Sequence, residues 1–121
     1  MHYLTVILVA LVAIEHFYIL YLEMFRWTHP RTLKAFGMEK GLAEKTVHMA
    51  ANQGLYNGFL GAGLVFGLIH THYEFAQEIQ VFFLACVLIA ALYGSATVKK
   101  SIFFMQGVPA ILALLSIFLL G

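Results

Sequence analysis

The sequence predicts an all-α fold, a four-helix transmembrane bundle, and three observations predict it. Of 121 residues, 62% are apolar and only 11% charged, against roughly a quarter charged in a soluble domain. A chain this short cannot hide so much apolar surface from water. Four windows, 3–25, 47–69, 79–98 and 102–120, are mostly apolar and approach the length of about 20 residues that a membrane helix needs. The basic residues fall in only two of the three connections. The chain is too short for two ordinary domains and holds no linker, so residues 1–121 read as a single integral membrane domain.

The first span has no basic residue before it and carries Glu15 inside its apolar run. It therefore reads as a retained helix rather than a cleaved leader. The second is the least apolar, because its first half is polar. Gly54, Gly58, Gly61, Gly63 and Gly67 give it a surface that neighbouring helices can approach closely. That predicts either a central helix or a homo-oligomer contact through this Gly-rich helix. The third and fourth spans complete the bundle. Pro109 frees a backbone carbonyl about one turn earlier, near Gln106, and predicts a kink there.

The connection between the first two spans holds "RWTHPRTLKAFGMEKGLAEKT". Trp27, Leu33 and Phe36 alternate with Arg31 and Lys34, which predicts a short interfacial helix. The next connection, "HTHYEFAQE", reads as a loop. All seven basic residues sit in the other two: Arg26, Arg31, Lys34, Lys40 and Lys45 in the first, Lys99 and Lys100 in the last. With four spans these two share one face. The positive-inside rule makes that face cytoplasmic and puts both termini outside. The bilayer is the expected partner. There is no basic run of the kind nucleic acid needs, so nucleic acid is excluded as a partner. A single cysteine, Cys86, allows no intrachain disulfide.

Counting depth along each helix locates the polar side chains. Glu23 lies near the cytoplasmic face, and Glu15 and His16 two turns deeper, near the midplane. On the second span His48 is shallow, Asn52 and Gln53 intermediate, and Tyr56 and Asn57 deep. Asn57 is expected level with Glu15, and Tyr56 with His16. Tyr93 and Thr97 fall at the cytoplasmic end of the third span, and Gln106 lies one to two turns into the fourth. The outer half reads as apolar. Helical phase puts His16 and Glu23 on one stripe, and His48, Asn52 and Tyr56 on another, with Gln53 and Asn57 beside it.

Polar groups in lipid cost a few kcal/mol and normally face the bundle interior or water. These ten residues (Glu15, His16, Glu23, His48, Asn52, Gln53, Tyr56, Asn57, Tyr93 and Gln106) therefore predict a polar pocket open to the cytoplasm. For any single amide the alternative is a helix-to-helix hydrogen bond, contributing about 1 kcal/mol. An acid is an expensive way to make one such bond.

No Glu-x-x-His pair is present, so a bundle-type di-iron site lacks its signature. His16 and His48 differ too much in depth to clamp one haem. No metal or cofactor is expected. Ser95, Thr97 and Ser101 have no ordered His–acid pair nearby, and no catalytic residue is assigned. The leading reading is binding or proton-coupled movement of a small molecule. Glu15 and His16 would be the ionisable centre, Asn52, Gln53, Tyr56 and Asn57 would orient the ligand, and Glu23 and His48 would guard the mouth. In size and in a mid-membrane acid on its first helix the chain is similar to the small multidrug resistance transporters, though their other motifs do not match. A small integral-membrane enzyme with a cytosol-facing site and an accessory subunit of a membrane complex remain as alternatives.

Three blocks carry a closer resemblance: "EHFYILYLEMFRWTHPRTLKAFGM", "NQGLYNGFLGAGLVFGL" and "YGSATVKKSIFFMQGVPAILALL". Together they span nearly the whole chain, with a gap at the outer loop. In them the sequence resembles the domain of unknown function 1304 family, small bacterial four-span integral membrane proteins. The resemblance implies the bacterial inner membrane and no activity. Nine of the ten residues above lie inside these blocks, and His48 lies just before the second.

Overall fold

A computed structural model of the protein describes all 121 residues, Met1–Gly121. They form helices and short connections, with no strand. In chain order the helices are α1 (Tyr3–Phe25), α2 (Pro30–Phe36), α3 (Lys40–Lys45), α4 (Val47–Ile69), α5 (Tyr73–Thr97), a π-helical turn (Phe103–Gly107) and α6 (Val108–Leu120). The chain divides into two compact units. One contains Met1–Glu15 with Leu60–Gly121, the other His16–Phe59.

The first unit is built around an apolar core. Val9, Val12 and Ala13 of α1 meet Leu64 of α4, Leu84 and Val87 of α5, and Ala110, Ala113 and Ile117 of α6. Two glycines of α4 set how closely α5 approaches. The Phe83 ring occupies the space a side chain on Gly63 would need. At Gly67 the Cγ of Gln80 lies 2.8 Å from where a Cβ would stand. The Gln80 side-chain amide then donates to the Gly67 carbonyl at 3.0 Å. This glycine spacing seats one helix of the chain on another, as close approach requires.

Two sequence expectations change in this unit. The outer connection is shorter than the polar stretch predicts, because α5 begins at Tyr73. His72 is its N-cap, its ring accepting the Phe75 N–H, and Glu74 sits in the first turn, where an acid complements the helix dipole. The disturbance expected near Gln106 takes the form of the π-helical turn. Pro109 has no N–H to offer the carbonyl four residues back, and its ring crowds that carbonyl. The wider turn absorbs this, with the Val108 N–H bonding Phe103 O, five residues back.

In the second unit the expected single interfacial helix is two. His29 caps α2, its Nδ1 accepting the Arg31 N–H at 3.2 Å, and Pro30 fills the first position, where a missing N–H costs nothing. Gly37 ends the helix in the left-handed region at φ 62°, which an L side chain enters only at a cost. The Trp27 indole N–H donates to Thr46 Oγ1 at 3.1 Å. That bond ties the start of the α2–α3 segment to its end.

Within the same unit, α4 leans on the end of α1 through Gly54 and Gly58. A Cβ on Gly54 would lie 2.8 Å from Met24 Cγ and 3.0 Å from Glu23 Cβ. One on Gly58 would meet the Leu20 side chain. Gly54 is thus level with Glu23 and Met24, while α4 starts seven residues earlier, about 10 Å by the helical rise. Its first two turns project past Phe25, the last residue of α1. His48, among the polar residues of α4, falls in this projecting part. Three runs, Tyr3–Phe25, Tyr73–Thr97 and Phe103–Leu120, are long and apolar enough to cross a membrane. The predicted second span, 47–69, is long enough but too polar to join them.

The seating of Gly67 on Gln80 is testable. In detergent, Gly67→Ala should lower unfolding stability by about 1–3 kcal/mol, read by thermal or SDS-induced unfolding. Gly41→Ala, with nothing within 4 Å of the added methyl, should leave it unchanged.

Candidate functional site

The inward stripe of α1 is Thr5, Val9, Val12, His16 and Glu23, all at most 2% exposed. The spacing of three, four and seven holds one helix face against its neighbours. His16 and Glu23 therefore share a buried stripe two turns apart, as helical phase predicts.

What Glu23 meets differs from the depth count. Asn57 donates from Nδ2 to Glu23 Oε1 at 2.7 Å. The same nitrogen also donates to the Gln53 carbonyl of its own helix at 3.2 Å. The depth count puts Asn57 level with Glu15, eight residues earlier on α1. The difference has a physical source. Counting α4 inward from Val47 assumes that α4 enters the membrane where α1 leaves it, whereas the Gly54 contact shows α4 displaced by about two turns.

The other predicted residues of α4 do not gather at the acid. His48, Asn52, Gln53 and Tyr56 are exposed, with Tyr56 at 59%. The phase of the His48, Asn52 and Tyr56 stripe is right, but it is turned outward. Ala50, Gly54, Gly58 and Gly61 are the buried residues of this stretch, since only small side chains let α4 approach so closely. The polar stripe lies on the other side of the helix. His48 also stands in the turns beyond the end of α1, where a polar side chain costs least, and Asn52 and Gln53 stand at that end.

In the first unit, Glu15 is half-buried, and its Oε1 is buried with no hydrogen-bond partner. Gln106 is half-buried within the π-helical turn, a geometry frequent at functional sites. Tyr93 is 72% exposed, and Thr97 donates its hydroxyl to the Tyr93 carbonyl at 2.7 Å. Two surface grooves are apolar. One runs among Leu4, Leu8, Leu112 and Leu115, the other among Val81, Phe82, Ala85 and Phe118. Neither includes any of the ten predicted residues. No three histidine, cysteine or acidic side chains converge as metal ligands would.

The expectation of an apolar outer half is corrected here. Thr5, Gln80 and Ser116 are buried polar residues. Ser116 donates to the Ala113 carbonyl at 2.7 Å, while Thr5 Oγ1 and Gln80 Oε1 are buried without a partner. A signal for Gln80 was present. It falls on the stripe Ala76, Gln80, Leu84, Val87, Ala91, but its position at the edge of a polar loop concealed it.

Compared with known proteins, residues 10–118 match the family described as "Protein of unknown function (DUF1304)". The chain is 42% identical over 117 residues to "Uncharacterized protein YpaA" of Lactococcus lactis subsp. lactis (strain IL1403). That alignment covers 95% of this chain and 97% of the relative. No solved structure matches.

The Glu23 contact yields its own test. Asn57→Ala removes the donor to a buried carboxyl group and should cost about 1–2 kcal/mol of unfolding stability. Asn52→Ala and Gln53→Ala, being exposed, should stay within about 0.5 kcal/mol of the unmodified protein. SDS titration followed by circular dichroism compares the three.

Proposed function

The chain belongs to the DUF1304 family, and on that footing we propose that it is a four-span protein of the bacterial inner membrane that binds and moves a small molecule. The observation that carries this reading is Glu15, whose Oε1 is buried on an apolar helix with no hydrogen-bond partner. A buried polar atom of this kind is an expensive feature, and in a membrane helix it marks a site by default. The complement of a carboxyl group at that depth is a proton or a cationic group. Glu15 is then the binding residue and His16 the ionisable neighbour that shares its proton traffic.

The remaining predicted residues take graded roles. Glu23 and Asn57 form a bonded latch toward the cytoplasmic end of α1. Gln106 in the π-helical turn contributes a half-buried amide. His48, Asn52, Gln53 and Tyr56 make an exposed polar face of α4 in the second unit, and Tyr93 an exposed aromatic of α5 in the first. Four spans are favoured over three by the charges. With α4 crossing, all seven basic residues lie on one side, which the positive-inside rule makes cytoplasmic. With three spans, Lys99 and Lys100 would lie opposite the other five. Both termini are then outside.

A second reading is favoured by the Asn57–Glu23 bond. Such bonds hold helices together, and the protein would be an accessory subunit whose polar residues serve assembly. The two readings part at Glu15. In proteoliposomes with an imposed pH gradient, uptake of small organic cations, tetraphenylphosphonium among them, should be lost in Glu15→Gln with folding stability retained. Uptake that persists unchanged in Glu15→Gln would refute the role given to Glu15. A loss of stability without any cation flux in the unmodified protein would favour the accessory subunit.

A further inference from the structure

The segment between α1 and α4 is a folded platform rather than a loose loop. Thr32 of α2 and Ala43 of α3 are buried at 2% and 0% exposure. The Trp27 ring packs edge-on against Phe36, centroids 5.1 Å apart, and its N–H holds Thr46. His29 starts α2 and Gly37 ends it. Short elements pinned at both ends in this way hold their outward side chains in fixed places.

Those outward side chains are mostly cationic. Arg26, Arg31, Lys34, Lys40 and Lys45 are all exposed. Only two acids, Glu39 and Glu44, lie among them, so five of the chain's seven basic residues stand on one short platform. Arg31 and Lys34 are three apart on α2 and share its face. Large apolar side chains accompany them, with Phe25 68%, Leu42 55% and Phe36 38% exposed. The platform also follows directly on α1, a helix long and apolar enough to cross the membrane. The hydrocarbon edge is therefore within about a turn of Arg26.

We propose that this platform is a binding surface for anionic phospholipid headgroups of the adjacent leaflet, with Arg31 and Lys34 as its centre. The charge fits a phosphodiester surface, to which each basic residue near the membrane contributes about a fivefold gain in affinity. The mixture of cationic and apolar groups separates a lipid from a soluble acidic protein. An acidic protein would satisfy the cations and leave Phe25 and Leu42 in water, whereas a bilayer takes both. The proposal rests on α1 crossing the membrane and is independent of the role given to Glu15.

Trp27 is the only tryptophan in the chain and lies within the platform, so its emission reports on it. The full-length protein in neutral detergent micelles is titrated with phosphatidylglycerol, phosphatidylcholine or free glycerol 3-phosphate. Phosphatidylglycerol should produce a saturable shift in Trp27 emission that weakens as salt is raised. Phosphatidylcholine and glycerol 3-phosphate should produce none. Arg31→Gln and Lys34→Gln should each weaken the response about fivefold, with helical circular dichroism retained, while Lys99→Gln should leave it unchanged. Equal responses to the two lipids would overturn the proposal. So would an unaltered response in the folded Arg31→Gln, Lys34→Gln double variant, or competition by soluble polyglutamate as strong as that of the lipid.

Discussion

One cross-helix hydrogen bond sets the register of α1 against α4. The amide of Asn57 reaches Glu23 at 2.7 Å while remaining tied to its own helix through the Gln53 carbonyl. The bond is made where Gly54 and Gly58 leave room for Glu23, Met24 and Leu20. Close approach and polar pairing therefore depend on one another. A larger residue at Gly54 would separate the helices and strand a buried acid, and a burial penalty without a partner would follow. From this register come the projection of α4 past the end of α1 and the space in which α2 and α3 fold.

Much of this was legible in the residues. The limits of α1 and α4 follow from hydropathy and coincide with residues 3–25 and 47–69. The seven-residue interval placed His16 and Glu23 on one stripe, and both are buried. Pro109 announced a disturbance beside Gln106, and the π-helical turn contains it. The register was not legible. Helical phase states which residues share a face but not which face turns inward, and on α4 the small residues took the inner face from His48, Asn52 and Tyr56. Depth counted from helix ends fails when two helices end at different levels. His72 as a helix cap was likewise hidden inside a run of polar letters.

The two acids of α1 therefore take different parts. Glu23 is nearly fully buried, yet it has a specific donor and behaves as part of the packing. Glu15 is less buried, but its Oε1 has no partner. A sequence reading places Glu23 at the mouth because it lies nearer the helix end. The structure shows it bonded to Asn57 of α4. Of the two expectations for the Gly-rich face of α4, the central helix describes the contacts within the chain: Gly54 and Gly58 seat α4 on α1, and Gly63 and Gly67 seat it on α5.

The register is tested most directly by cross-linking. Cys86 is the only cysteine, so a Cys86→Ser background is free of thiols. In it, paired cysteines at Leu20 and Gly58 should form a disulfide on mild oxidation, since the Leu20 side chain is what a Cβ on Gly58 would meet. Cysteines at Leu20 and Met49 should not, because Met49 lies nine residues from Gly58 along α4, about 13 Å by the helical rise. A bridge between positions 20 and 49, with none between 20 and 58, would contradict the register and with it the pairing of Asn57 with Glu23.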